Sequence, residues 1–491
     1  MRKVVVIGAG LGGLSAAVRL AAAGFQVTVL EQQPEVGGKL QRIELGGYRF
    51  DRGPTAISMR PAFERVFASA GSRMEDYLKM YPLRKENRHI FADGTIIDLS
   101  DDPQEMEEQI AAYSWEDARQ YRAFMTEAGD IYRAVGRLFD RLRPTWRDRA
   151  DLRLMAGLLR FRPLTTLDQL LRRYFRHPNT LALFGRYATY LGSSPAKGPA
   201  VAASLAHLEA AIGVYGIKGG TYEIASGLRR LAEKLGAEIR TSVQVTRILS
   251  QRGTVRGVET EAGDWLADVI VANGDLLSVN RGLLAETDRP RLSNARIDSY
   301  EPSLSAFVLL AGVRKKFEVL RHHTVFYPPD YGREFDDIFQ GRRPPSDPSL
   351  YVCFSGRSEM GLAPEGGSNL SILANAPYET SAWNWTEEET GYRDRLLRRL
   401  GDYGLRGIHR EPEALSAYSP AQLRQDTAAY RGGIYGMSAN SKRQALFRPS
   451  NRGGLRGLWF AGGTTQPGGS AMAALSGQMV AEHIIASYGM G

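Results

Sequence analysis

Three glycines near the start of the chain have the spacing of a phosphate-binding turn. Gly8, Gly10 and Gly13 follow a short β-branched run, residues 4–7, and open a segment with a helical pattern, residues 14–23. Glycine at the first position permits a tight turn, at the second it lets the backbone approach a pyrophosphate, and at the third it lets helix and strand pack closely. The helix N-terminus then directs free N–H groups at the phosphates. A dinucleotide is therefore the expected ligand, with Gly12 as a fourth glycine of the same turn.

Glu31 ends the next apolar run, residues 27–30. A carboxylate at this point can accept hydrogen bonds from both ribose hydroxyls, which disfavours a cofactor with a 2′-phosphate. The same stretch imitates a secretory signal, because Arg2 and Lys3 precede an apolar run that ends in small residues. The four glycines and Arg19 within the run disfavour that interpretation, so we expect folded structure here.

A second glycine turn extends the motif beyond what NAD requires. Gly37 and Gly38 are followed by Lys39, and Gly53 and Pro54 come shortly after. The longer FAD needs additional backbone donors and a cation along its phosphates and ribityl chain. An ordinary surface turn is the alternative, but the combination with the first motif favours FAD.

The C-terminal region repeats the arrangement of strand, glycine-rich loop and helix. Residues 458–461 have a strand pattern, residues 462–469 a loop pattern and residues 470–485 a helical pattern. The helix N-terminus can stabilise negative charge on a reduced isoalloxazine ring. A plain C-terminal helix is the alternative. With the N-terminal motif, this region predicts a cofactor held at both ends, here by Gly462, Gly463, Gly469 and Met472.

These motifs together resemble the FAD-dependent amine oxidase and phytoene desaturase superfamily. The N-terminal signature comprises the first glycine turn, Glu31, the second glycine turn and residues 50–54, and the C-terminal stretch resembles that of carotenoid desaturases. The chain departs from the family at Lys39, usually an arginine with a planar fork, and at Gln466, usually a histidine. Glutamine argues against an acid–base role there. The resemblance also implies that the Val245 backbone flanks the adenine and that residues 272–274 lie near the nucleotide.

Within this family the chain is most similar to the C30 branch of diapophytoene desaturases and diaponeurosporene oxygenases. Residues 190–194 (YLGSS), 432–436 (GGIYG) and 467–469 (PGG) with 475–478 (LSGQ) are more similar to the oxygenase. The resemblance implies FAD-dependent oxidation of an apolar acyclic polyene, by desaturation or by oxidation of a terminal methyl group to an aldehyde. A flavin amine oxidase acting on small polar amines and a non-catalytic flavoprotein are the alternatives.

The sequence assigns no catalytic residue and no metal site. It contains no HExxH, GxSxG or Walker A motif, and the carboxylates of the helical region show no acid–base pairing. His322 and His323 are adjacent and would face opposite sides of a strand, which favours ordinary core or surface histidines over ligands. Cys353 is the single cysteine, which excludes a disulfide framework within the chain and a cysteine-rich metal site. A reducing cytoplasm is the expected compartment.

The net charge of +9 is concentrated in one region. Residues 133–186 hold thirteen arginines and four aspartates, interleaved with leucine and phenylalanine. This pattern suits a helix in a membrane interface, and a solvated basic face is the alternative. Nucleic acid is not an expected partner, because no recognition motif accompanies the charge. No apolar run is long enough to span a membrane, so we expect a peripheral position at the inner face of the cell membrane.

The pattern predicts an α/β fold with a discontinuous Rossmann-like FAD-binding domain, a mixed-sheet substrate domain and a helical, membrane-associated subdomain. The FAD-binding domain is expected in three parts, residues 1–100, 212–290 and 431–491. The helical subdomain covers residues 101–211 and the substrate-binding sheet residues 291–430. The sequence makes no prediction of the oligomeric state.

Overall fold

Two large β-sheets organise the chain. The computed structural model describes residues 1–139, 165–410, 412–446, 448–465 and 469–488. The strands are Lys3–Ile7 (β1), Gln26–Leu30 (β2), Gln41–Leu45 (β3), Tyr48–Arg52 (β4), Met80–Pro82 (β5), Asn87–Ile90 (β6), Ile96–Asp98 (β7), Tyr215–Ile217 (β8), Glu238–Arg240 (β9), Val245–Gln251 (β10), Thr254–Thr260 (β11), Gly263–Leu266 (β12), Val269–Ala272 (β13), Ser305–Val313 (β14), His323–Phe326 (β15), Leu350–Phe354 (β16), Ser368–Ala376 (β17), Ala414–Tyr418 (β18) and Leu458–Phe460 (β19).

Helices surround both sheets. They are Leu11–Ala22 (α1), Arg60–Ala68 (α2), Pro103–Ala111 (α3), Trp115–Phe139 (α4), Leu167–Tyr174 (α5), Pro178–Gly185 (α6), Ser204–Ala211 (α7), Glu223–Lys234 (α8), Leu276–Leu283 (α9), Asn294–Asp298 (α10), Tyr331–Asp336 (α11), Trp385–Asp402 (α12), Pro420–Thr427 (α13), Lys442–Leu446 (α14) and Ser470–Tyr488 (α15).

The first sheet is parallel and combines strands from distant parts of the chain. Its order is β19-β13-β1-β2-β9, and every neighbouring pair is parallel. Val4, Val5 and Val6 on β1 are buried, as their β-branched, uncharged run predicts for a strand covered on both faces. The Rossmann-like unit is therefore discontinuous, which confirms the predicted fold class.

The second sheet has seven strands in the order β18-β14-β17-β16-β15-β6-β7. The pairing of β15 with β6 is parallel and the other pairs are antiparallel, so the sheet is mixed, as predicted. The hairpin β6–β7 turns at Gly94, which has a positive φ, and its strands extend this second sheet, although the sequence prediction placed residues 1–100 in the FAD-binding domain. The boundaries of the domains stay a prediction.

The described parts of residues 101–211 contain helices α3 to α7 and short 3₁₀ segments. Their core contains interlocking aromatic rings, among them Phe124, Phe175 and Phe184, whose centroids lie 4.8–5.3 Å apart. The arginine-rich stretch proposed to contact a membrane, residues 141–162, lies outside the described residues. Among the described helices, none combines the length and the apolar composition needed to cross a bilayer.

Helix α1 near the N-terminus and helix α15 near the C-terminus contact each other at glycine residues. A Cβ atom built on Gly477 of α15 would lie 2.0 Å from the carbonyl oxygen of Gly12 on α1. Because backbone atoms cannot rotate away as a side chain can, this contact requires glycine. It joins the last helix of the chain to the helix that follows the first glycine turn.

We therefore predict that Gly477→Ala lowers the free energy of unfolding by about 1–3 kcal/mol through overpacking. Thermal unfolding of the purified protein measures this as an earlier transition. Gly391→Ala is the matched control, because Gly391 is exposed within α12 and a Cβ there meets nothing within 4 Å. The control variant should gain about 0.5–1 kcal/mol from the better helix propensity of alanine. Equal stability of the two variants would contradict the prediction.

Candidate cofactor and substrate site

A cavity of about 500 Å³ lies where the glycine turns approach the seven-stranded sheet. The predicted site residues that line it are Gly8, Gly10, Gly12, Glu31, Gly38, Lys39, Gly53, Pro54, Val245, Gly462, Gly463 and Gly469. Stretches separated by more than 400 residues in sequence thus form one wall. The two remaining predicted residues, Gly13 and Met472, lie beside this wall and are described below.

The first glycine turn packs around the side chain of Asn273. Gly8 has a φ of +92°, and the Asn273 amide donates to its carbonyl oxygen at 3.3 Å. A Cβ on Gly12 would lie 2.4 Å from Asn273 Oδ1, and a Cβ on Gly13 would lie 2.1 Å from the Gly8 carbonyl oxygen. Gly13 therefore serves the close helix–strand approach that its spacing predicts. Asn273 itself lines the cavity, although the sequence placed it only near the nucleotide by resemblance.

Glu31 follows β2 and is 5% exposed. Its carboxylate accepts hydrogen bonds from the Ala9 N–H at 2.7 Å and the Gln33 N–H at 2.9 Å. Burial raises the pKa of this carboxyl group, and the backbone donors oppose the rise. Each carboxylate oxygen retains acceptor capacity beyond its one backbone donor. The position is therefore compatible with the predicted contact to ribose hydroxyls.

The second glycine turn lies directly against the first. Gly37 donates its N–H to the Ala9 carbonyl oxygen at 2.9 Å, and both Gly37 and Gly38 have positive φ. Lys39 is partly buried beside the cavity. Burial lowers the pKa of its ammonium group, and the charge of Asp275 opposes that shift. Asp275 lines the same cavity and caps α9 through the Leu277 N–H at 2.9 Å. The sequence analysis did not select Asp275. The available indication was its position as an acidic residue between a buried strand and a helix.

Val245 reaches the cavity because the chain breaks before it. Strand β9 ends at Arg240 in the parallel sheet, and β10 begins at Val245 in another sheet. Between them, Ser242 has a φ of +56°, and the N–H groups of Ser242 and Val243 donate to the carbonyl oxygens of Gln33 and Glu31. These bonds turn the chain across the end of β2. Val243, Gln244 and Val245 line the cavity as a result.

The entry to α15 completes the wall beside the first turn. Gly462 has a φ of +114°, and a Cβ there would lie 2.9 Å from Asn273 Oδ1. Along α15, Ser470 and Ala473 line the cavity, whereas Met472 is 6% exposed and packs in the core around α1. Its predicted contact with the cofactor stays untested, and Gln466 lies outside the described residues.

The opposite wall comes from the seven-stranded sheet and is apolar. Ala306 and Val308 on β14 and Leu373 on β17 line it, together with Leu423 and Ile434. Ala306 and Val308 are two positions apart on one strand and so point to the same face. The sequence predicted a sheet in this region but not which of its faces would line the cavity.

The chain matches the model of a family described as flavin containing amine oxidoreductase over residues 11–485. It belongs to that family. Flavin is therefore the cofactor, and family membership together with the two glycine turns supports FAD as its form. The open backbone at Gly8, Gly10, Gly38 and Gly462 fits such a cofactor, because side chains at these positions would fill the space that it needs or strain the turn.

Relatives within the family are similar to the chain over nearly its whole length. A hydroxyneurosporene desaturase from Cereibacter sphaeroides is 38% identical and covers 99% of this chain and 97% of its own. A 4,4'-diapolycopene oxygenase from Methylomonas is 32% identical, with 99% and 98% covered. A 4,4'-diaponeurosporene oxygenase from Staphylococcus haemolyticus is 31% identical, with 98% and 97% covered.

Solved structures share the fold at lower sequence identity. Putrescine oxidase bound to putrescine superimposes with a TM-score of 0.68 at 16% identity, with 99% of each chain covered. An oxidoreductase from Methanosarcina mazei gives a TM-score of 0.67 at 16% identity, with 98% and 100% covered. At this identity the likeness concerns the fold alone.

We predict that Glu31→Gln weakens FAD binding by about tenfold to a hundredfold, because hydrogen bonds to a charged acceptor each contribute roughly 1.5–3 kcal/mol. The variant keeps the volume of the side chain and removes its charge. Titration of the FAD-free protein with FAD, followed by flavin fluorescence, gives the dissociation constant. Glu261→Gln, at an exposed turn position, is the control and should bind as the unchanged protein does. An unchanged constant for Glu31→Gln would contradict the assignment of Glu31.

Proposed function

We propose that the protein is an FAD-dependent oxidoreductase that oxidises an acyclic carotenoid. The observation that carries the proposal is the similarity, at 31–38% identity and over nearly the full length, to relatives named for carotenoid desaturation and oxygenation. The apolar wall of the cavity supports it, since an acyclic carotenoid offers mainly carbon–hydrogen surface to its binding site.

The positions of the charged side chains in the cavity also support a carotenoid substrate. Glu31, Lys39 and Asp275 lie with the glycine turns, where the cofactor would be held. Arg52 pairs with Asp426 at 3.4 Å and stacks over the Tyr418 ring, 3.9 Å from its centroid. The wall formed by β14 and β17 carries Ala306, Val308 and Leu373. A small polar amine would gain little from that wall, which disfavours the amine oxidase alternative.

The residues of the chain would hold and orient the reactants while the flavin supplies the redox chemistry. The predicted set of cofactor contacts is the glycine turns with Glu31, Lys39, Gly53, Pro54 and Val245, and the entry to α15. When bound, FAD supplies the oxidising equivalents: in desaturation a hydride equivalent and a proton leave adjacent carbons, and oxygen or a quinone finally takes the electrons. The apolar wall would place a C–H bond at the flavin and exclude water.

Desaturation and oxidation of a terminal methyl group both agree with the names of the relatives. In the second reaction molecular oxygen supplies the atom that becomes the aldehyde oxygen. The C30 series is our proposed substrate class, on the resemblance of residues 190–194, 432–436, 467–469 and 475–478 to the diaponeurosporene oxygenase. The greater identity to the hydroxyneurosporene desaturase makes a hydroxylated substrate the second one to test.

Expression in bacteria that accumulate diapophytoene, diaponeurosporene or hydroxyneurosporene tests this function. We predict new pigments, because the cell supplies FAD, oxygen and the membrane-dissolved substrate. Chromatography and mass spectrometry of the extracts distinguish the reactions: further desaturated polyenes indicate a desaturase and polyene aldehydes an oxygenase. Cells with an empty vector are the control. Unchanged pigments in all three hosts, with FAD bound to the expressed protein, would overturn the proposal in favour of an amine oxidase or a non-catalytic flavoprotein.

We further propose a peripheral position at the inner face of the cell membrane, because a polyene is dissolved in lipid. The arginine-rich and leucine-rich sequence of residues 141–162 supports this by its composition. We predict that replacing Arg141, Arg143, Arg147 and Arg149 by glutamine weakens co-sedimentation with anionic liposomes, since each basic residue near such a surface contributes about 1 kcal/mol. Replacing the exposed Arg119 is the control. Undiminished binding of the quadruple variant would contradict the proposal.

A further inference from the structure

His322, His323 and Cys353 form a buried cluster outside the cofactor cavity. One potential ligand atom from each residue lies within 4.8 Å of the other two. The sequence expectation that the histidines face opposite sides of a strand is wrong, because β15 begins at His323 and His322 precedes it. The two rings contact each other with centroids 4.5 Å apart. Cys353 lies opposite His323 in the antiparallel pair β15–β16, so the register of the sheet brings thiol and imidazole together.

One of the two ring nitrogens of His323 has a hydrogen-bond partner among the described residues, and the other has none. Its Nδ1 lies 2.7 Å from the Tyr351 hydroxyl, which lies 2.7 Å from the Thr55 hydroxyl. Its Nε2 is buried and has no hydrogen-bond partner among the described residues. An unsatisfied buried polar atom is costly in a folded protein. A ring held through one nitrogen with the other nitrogen available is the arrangement of a metal-ligating histidine and its supporting hydrogen bond.

We propose that His322, His323 and Cys353 bind a Zn²⁺ ion, with water as the fourth ligand. Imidazole and thiolate are the ligands that zinc prefers, and three protein ligands with one open position are typical of sites in contact with solvent or substrate. Bonds of about 2.0–2.3 Å in a tetrahedral site place the ligand atoms roughly 3.3–3.6 Å apart. The ligand atoms, which lie within 4.8 Å of one another, would therefore approach by up to about 1.5 Å when the ion binds.

The surroundings of the cluster favour a cation and give it access. Burial and the charge of Asp51 raise the pKa of the free Cys353 thiol, so the thiol must lose its proton as the ion binds; the Asp51 carboxylate can then balance the net charge of the zinc–thiolate unit. The two arginines that act electrostatically on the histidines are each paired with a carboxylate, Arg186 with Glu209 at 3.2 Å and Arg357 with Glu86 at 3.0 Å. A second cavity of about 240 Å³, lined by His323, Asn87 and Tyr215 among others, offers a path for the ion and its water.

The zinc site would stabilise the part of the cofactor cavity next to Pro54. Thr55, which bonds to Tyr351, directly follows Pro54, and Pro54 lines the cavity. Zinc would join β15 to β16 and fix the ring to which this chain of hydroxyl groups is bonded. The proposal does not depend on the substrate of the enzyme, because its readout is metal binding.

Elemental analysis of the FAD-loaded, tag-free protein tests the proposal. After exposure to Zn²⁺ and gel filtration we expect about one zinc per chain, and a loss of zinc affinity of at least about tenfold in Cys353→Ser and in His323→Gln. His409→Gln is the control, because His409 is exposed and distant in sequence from the cluster. Retained FAD absorbance shows that each variant is folded. Zinc content equal in the unchanged protein and Cys353→Ser would overturn the proposal.

Cobalt gives a test that needs no variant. Co²⁺ in a tetrahedral site with a thiolate ligand should add d–d absorption at longer wavelengths than flavin absorbs, together with a sulfur-to-metal charge-transfer band. Zn²⁺ added in excess should abolish both signals, and the thermal transition should rise with zinc concentration, because binding to the folded state stabilises it. The absence of tetrahedral Co²⁺ absorption would refute the site.

Discussion

The close approach of backbone segments around Asn273 is the constraint on which the cofactor site depends. Gly8, Gly12 and Gly462 belong to the two ends of the chain, and all three pack within about 4 Å of this one side chain. A side chain larger than a hydrogen atom at Gly12 would overlap Asn273, so the loops that face the cofactor must be bare backbone. The parallel sheet brings β1, β13 and β19 together and thereby makes this contact between distant stretches of sequence.

The cavity next to this contact has two walls that differ in polarity. The glycine turns, Glu31 and Lys39 offer backbone donors and charge to a phosphate-containing cofactor. The seven-stranded sheet contributes Ala306, Val308 and Leu373 to the cavity lining, where we propose that they contact the substrate. The flavin brings the redox chemistry, and we propose that the protein contributes the position of the reactants and the exclusion of water.

The sequence was sufficient where function depends on local spacing, and insufficient where it depends on contacts between distant segments. The glycine turns could be predicted, because positive φ and close packing leave a residue signature. The orientation of α15 about its own axis could not be predicted, because this helix is buried on several sides. Its composition does not distinguish Met472, which packs in the core, from Ser470 and Ala473, which line the cavity. The break between β9 and β10 depends on hydrogen bonds to Glu31 and Gln33, and the meeting of His323 with Cys353 depends on strand register.

Reconstitution of the purified protein with FAD is the most direct test that this cavity oxidises a polyene. The protein would be incubated in air with liposomes that contain diapophytoene or diaponeurosporene, and separately with putrescine, and the products analysed by mass spectrometry. We predict that the polyene loses pairs of hydrogen atoms, or exchanges two of them for one oxygen, while putrescine is recovered unchanged. Oxidation of putrescine by a protein that returns every polyene unaltered would contradict the proposed function.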